Sequence, residues 1–250
     1  EHVAWLADDA RAGRGTGTEG MQASADYVAA RFAELGLRPV GDDGGYLQAF
    51  DVPGERELVD GNLLSLAGVE LTLGDQWRPF RSALDGSLRG ELVFVGFGIK
   101  DVEGEQASGW DDYAGVEVEG KLALVLRGAP GGESGPFGQG PGQVHAQLRS
   151  KINQAFREGA AGLLVVNPAP VADADDEVLA YAALDAGGQI ASLPAAHVSH
   201  GAARAALAGA DFDLVAAQAA IEARGGPASR GLDGVTVSLT VASERRSLPS

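Results

Sequence analysis

Two stretches decide the fold: KLALVL (residues 121–126) and LRSKINQAFREGAAGLLVVN (residues 148–167). Lys121 to Leu126 is almost wholly apolar, as a strand buried on both faces of its sheet must be. Leu148 to Glu158 is amphipathic through Leu148, Ile152, Ala155 and Phe156 and stops at Gly159. Within a few residues it gives way to a second apolar run, Gly162 to Val166. Strand, helix, strand in that order predicts a parallel βαβ unit with a right-handed crossover. The fold class is therefore α/β.

Outward from that unit, Ala195 to Val198 reads as another strand and Gly201 to Leu207 as a helix, with a solvated acidic loop, Asp173 to Glu177, before them. Upstream, the short runs Tyr46 to Val52, Asn62 to Leu66, Val69 to Leu73 and Glu91 to Gly96 alternate with turn residues and read as β. Residues 1 to 40 read as helical. Met21, Ala25, Val28, Phe32 and Leu35 share one face, Thr16 or Thr18 caps the start, Gly36 suits a left-handed C-cap, and Val3 to Ala10 forms a second short helix. After a break at Gly225 to Gly231, Val235, Val237, Leu239 and Val241 alternate as a strand. That strand either closes the sheet already built or belongs to a domain whose remainder lies elsewhere.

The chain has 250 residues, 45% apolar and 22% charged, values of an ordinary folded protein, and its size admits one core or two. Its formal charge of -16 repels phosphate backbones and anionic headgroups, so nucleic acid and membrane are not expected partners. No apolar run approaches the roughly 20 residues that cross a bilayer. Without cysteine, disulfides and thiolate sites are excluded.

Candidate chemistry is sparse. Gly15, Gly17 and Gly20 have the G-x-G-x-x-G spacing, but helix rather than a buried strand precedes them, which favours a structural turn. Gly128 to Gly142 holds seven glycines without the Gly-Lys-Ser/Thr ending of a phosphate loop; a mobile surface loop is expected, with contact to a partner as the minority reading. Of the four histidines, His2, His145, His197 and His200, only the last two are close. One lies in a strand and the other opens a helix, with no Asp or Glu within ten residues to complete a metal site. No G-x-S-x-G elbow occurs, and Asp111 and Asp112 are expected to bond their local backbone. No catalytic, cofactor-binding or metal-binding residue is assigned.

Several stretches nevertheless resemble one family. Trp5 to Asp9, Gly13 to Thr18, Ala25 to Val28 and Phe32 to Leu37 resemble the opening of di-zinc aminopeptidases that carry a protease-associated (PA) domain. Gly90 to Gly98, Trp110 to Tyr113, Gly120 to Gly128, Lys151 to Ala155, Gly159 to Asn167 and Leu193-Pro194 look like that PA domain. The resemblance implies a PA-domain fold, a β-rich sheet or barrel with flanking helices, after an N-terminal helical segment. It divides the chain into a helical piece of the peptidase domain (residues 1–48), the PA domain (49–215), and a linker with a strand returning toward the catalytic domain (216–250). It further implies export to an extracellular or periplasmic site, a downstream peptidase domain as partner with peptide or protein as substrate, and two zinc ions in the parent protein. The family's H-x-D pair is absent, since each His is followed two residues later by Ala4, Gln147, Ser199 or Ala202. The chain is thus expected to control access or contacts rather than to catalyse; the alternative is a free-standing PA-type peptide- or protein-binding module.

Overall fold

The structure, a computed structural model, describes residues 1–50, 53–81, 83–103, 107–169, 176–181 and 193–247. Along the chain run α1 (His2–Leu6), α2 (Glu19–Glu34), β1 (Pro53–Leu58), β2 (Leu63–Leu66), β3 (Val69–Glu70), β4 (Trp77–Pro79), β5 (Gly86–Phe94), β6 (Lys100–Asp101), β7 (Trp110–Asp111) and β8 (Leu122–Leu126). There follow α3 (Leu148–Arg157), β9 (Gly162–Val166), β10 (Ala195–Val198), α4 (His200–Leu207), α5 (Leu214–Arg224), β11 (Arg230–Val241) and β12 (Ser243–Ser247). They form two compact units, residues 1–58 with 243–250, and residues 59–242.

The larger unit is an eight-stranded sheet in the order β3-β2-β11-β5-β8-β9-β10-β4. Its centre is the expected βαβ unit. β8 and β9 pair in parallel from Leu122↔Gly162 to Leu126↔Val166, every residue of both strands is buried, and α3 makes the crossover. β5 and β10 extend the parallel block on either side, and β4, absent from the sequence reading, closes one edge antiparallel to β10. Lys121 carries no strand assignment, which trims the expected run by one residue.

The C-terminal strand takes the first of its two open places. β11 lies between β2 and β5, antiparallel to both, with Val237 opposite Leu66 on one side and Gly90 on the other. Leu232, Val235, Val237, Leu239 and Val241 are buried, as their alternation suggests, and β11 sits within this sheet, where the resemblance implied a strand returning toward another domain. The expected division at residue 216 accordingly cuts through the unit rather than beside it.

In the smaller unit, Thr18 caps α2 by accepting from the Met21 N–H, and Gly36, at φ 67°, follows its end as expected. Trp5 stacks on Tyr27 at 3.9 Å, and the Arg11 guanidinium covers the other side of Trp5 at 3.6 Å. Between α1 and α2 the chain makes a 3-10 turn, Asp9–Arg14, where the sequence suggested a longer first helix. A Cβ on Gly20 would stand 1.8 Å from the Arg11 carbonyl oxygen, so the third glycine of the G-x-G-x-x-G spacing serves close backbone packing. The expected strand Tyr46 to Val52 is corrected over its described residues, 46–50, which form none. There the Tyr46 hydroxyl donates to the Leu37 carbonyl and the Ala49 N–H to Asp42, folding the segment on itself; residues 51 and 52 lie outside the described residues.

Candidate functional site

His197 and His200 do meet a common partner, which sequence spacing could not show. Asn167 follows β9, His197 lies in β10 and His200 opens α4, so the parallel register brings the three to one end of the sheet. The Leu179 N–H donates to His197 Nδ1 at 2.8 Å, which makes that nitrogen the acceptor. His197 Nε2 therefore carries the proton and donates to Asn167 Oδ1 at 2.9 Å. His200 Nδ1 donates to the Asn167 carbonyl at 3.1 Å. Burial, reinforced by Arg127, lowers the His197 pKa to about 4, so the ring is neutral.

Asp176, read as part of a solvated acidic loop, completes this cluster. Its carboxylate accepts from the N–H groups of His200 and Gly201 at the start of α4, and from Asn167 Nδ2 at 3.1 Å. Those are the unpaired donors of a helix N-terminus, which explains a carboxylate at that place. Asp173 to Asp175 lie outside the described residues. Among the described residues no group of three or more His, Cys, Asp or Glu side chains is arranged to hold a metal ion.

A second buried set surrounds Phe97. Asp112 Oδ2 accepts from the Phe97 and Ile99 N–H groups at 3.1 and 3.0 Å, while Lys151 Nζ donates to the Phe97 carbonyl. Both side chains are fully buried. Desolvation raises Asp112 to about 6 and lowers Lys151 to about 7. The expected local bonding holds for Asp111, which accepts from the Tyr113 N–H, but Asp112 reaches back to a loop 15 residues upstream. On α3 the buried face is Lys151, Ile152 and Ala155, and Phe156, expected inside, is 53% exposed.

The glycine-rich segment carries some local structure. It contains two 3-10 turns, Gly132–Ser134 and Gly140–Ala146, and Phe137 is buried edge-on to Trp110 at 5.6 Å. A groove of about 650 Å3 runs beside it, lined by Asp101, Ser108, Phe137, Gln139, Pro141 and His145. His145 stands 3.6 Å from Asp101, and its own neighbour across the segment is the Phe137 ring. Side chains of both buried clusters thus bond loop backbone, at Leu179 and Phe97 among others.

One family model agrees with the α/β fold. Residues 88–206 match the PA domain family model, and the architecture is the PA-domain fold, a β-rich α/β sheet with flanking helices. No curated protein matches the chain. Among solved structures, an aminopeptidase from Aneurinibacillus sp. strain AM-1 is 16% identical at a TM-score of 0.44, over 92% of this chain and 41% of that one. A zinc aminopeptidase from Bacillus subtilis is also 16% identical at 0.42, over 98% and 42%. A subtilisin-like protease from the Antarctic Pseudoalteromonas sp. AS-11 is 15% identical at 0.32, over 78% and 34%. The chain spans about two fifths of the length of the two aminopeptidases.

Proposed function

We propose that the chain is the non-catalytic PA-domain region of an exported zinc aminopeptidase, controlling substrate access or protein contacts beside a di-zinc site held by a downstream peptidase domain. The observation that carries this reading is the PA match over residues 88–206, joined to the resemblance of the helical lead-in to the opening of that enzyme family. The lead-in itself looks unfinished. The face of α2 that the sequence marked as apolar is only partly covered: Ala25 and Val28 are half-buried, while Met21 and Phe32 are about two fifths exposed and Leu35 is 74% exposed, with Val40 at 88% beyond them. Apolar exposure at these positions suits a partner surface, and the downstream peptidase domain supplies one.

In this reading the two zinc ions, their ligands and the proton-accepting carboxylate all belong to the downstream domain, where the metals lower the pKa of a water. The chain contributes shape and contact. Its expected behaviour in isolation is no hydrolysis of an aminoacyl anilide with added zinc and no tight zinc uptake in a calorimetric titration. Metal-dependent amine release at an enzyme-like rate, or two tightly held zinc ions per chain, would sink it.

The alternative, a free-standing PA-type peptide- or protein-binding module, is favoured by one observation: β11 completes the sheet of residues 59–242, so that unit carries its own core. Hydrogen exchange separates the two. Slow exchange across β11 with fast exchange across α2 supports a lead-in awaiting its domain, whereas equal protection of both supports the module.

A further inference from the structure

Residues 176–179 form a strap at the carboxyl ends of β9 and β10, the end at which parallel sheets carry their ligand-facing loops. At one side of the strap, Asp176 is bound by Asn167 Nδ2 and by the His200 and Gly201 N–H groups, and the Glu177 carbonyl accepts from the same Asn167 amide at 3.2 Å. At the other, Leu179 donates its N–H to His197 Nδ1 and receives Arg78 on its carbonyl at 3.2 Å. Val178 and Leu179 are only half-buried, so hydrogen bonds carry much of the attachment.

The Leu179–His197 bond exists in one protonation state of the ring. Nε2–H is committed to Asn167, so Nδ1 accepts from Leu179 through its lone pair. A proton on Nδ1 sets N–H against N–H, and a backbone amide cannot accept it. The surroundings do not relieve that clash. Arg127 after β8 and Arg78 on β4 oppose a further cation, Asp176 on the strap favours one, and His200 on α4 bonds the Asn167 carbonyl rather than the His197 ring. The Phe80 ring, 6.2 Å away, is uncharged. At 1% exposure a protonated His197 reaches water only if the strap moves. We propose that residues 176–179 are an acid-released strap: protonation of His197 at Nδ1 breaks its bond to Leu179 and lifts the strap while the sheet stays folded. Opening frees the Asn167 amide and the His200 and Gly201 N–H groups, so this end of the sheet changes from closed to donor-rich as the surroundings turn acidic. The device needs no peptidase domain.

The ring titrates at 6.5 when free and at about 4 when strapped, so closure is favoured in full above pH 6.5 and is lost as the pH falls toward 4. Amide exchange followed by NMR on isotope-labelled protein, corrected for the intrinsic pH dependence of exchange, tests it. Between pH 7.5 and pH 4.5 the protection of the Leu179 N–H should fall about 70-fold by this linkage, while staying below that of Val165 within β9. His197→Gln, which does not titrate in that range, should cut the fall to under about fivefold. Asp176→Asn removes the other titratable anchor and should leave most of the fall in place. One common rate for Leu179 and Val165 overturns the proposal, since the strap would then open only with the whole unit. Leu179 protection indifferent to acid, a full fall in His197→Gln, or its loss in Asp176→Asn overturns it too. Should His197→Gln not fold, the parent protein and Asp176→Asn decide the matter by the same readings.

Discussion

His197 shows how much one side chain can commit to a fold. Its ring is 1% exposed, both nitrogens are bonded within the protein, and its pKa is lowered from 6.5 to about 4 by burial first and Arg127 second. Because the folded state resists protonation that the unfolded chain accepts, His197 contributes stability in full above pH 6.5. That contribution is lost as the pH falls toward 4. Acidification across this window should therefore cost on the order of 3 kcal/mol through this residue alone. Urea unfolding at pH 7 and pH 4.5 checks the sign. His197→Gln should be less stable at pH 7 yet lose less on acidification; a variant as acid-sensitive as the parent would remove His197 as the cause. None of this was legible beforehand. The sequence gives His197 and His200 their spacing of three, but Asn167 and Asp176, which join them, arrive through strand pairing and a loop 20 to 30 residues away.

Elements with their own periodicity were readable, and those that depend on a distant partner were not. β8, α3 and β9 announce themselves because apolar runs and a 3.6-residue repeat are local properties of the chain. Even there the helix faces a little to one side of where hydrophobicity pointed: Lys151 is buried because Phe97 presents a carbonyl to it, and Phe156 is left outside. The glycine-rich segment holds one anchor that its composition does not announce. Seven glycines suggested mobility, yet Phe137 is 1% exposed and packs between Trp110 and His145. Phe137→Ala should thus destabilise residues 59–242 by about 3–5 kcal/mol, as for a buried aromatic in a core. A loss below about 1 kcal/mol in thermal unfolding would return the segment to the status of a surface loop.

At the scale of the whole molecule, β11 is the piece that makes the larger unit one body. In the sheet it lies between the β2–β3 hairpin and the parallel block that starts at β5. Deleting residues 230–250 should abolish the cooperative unfolding transition and the near-ultraviolet dichroism of the aromatic core; a truncated chain that still melts sharply would show that the hairpin and the block hold without it. The placement has a consequence for synthesis. A ribosome delivers β2 and β5 well over a hundred residues before the strand that fits between them, so until residues 230–241 are made each presents an open edge. The nascent chain is then most exposed to mispairing just before β11 emerges, and its yield in a cell depends on whatever shields those edges until Val241 has left the exit tunnel.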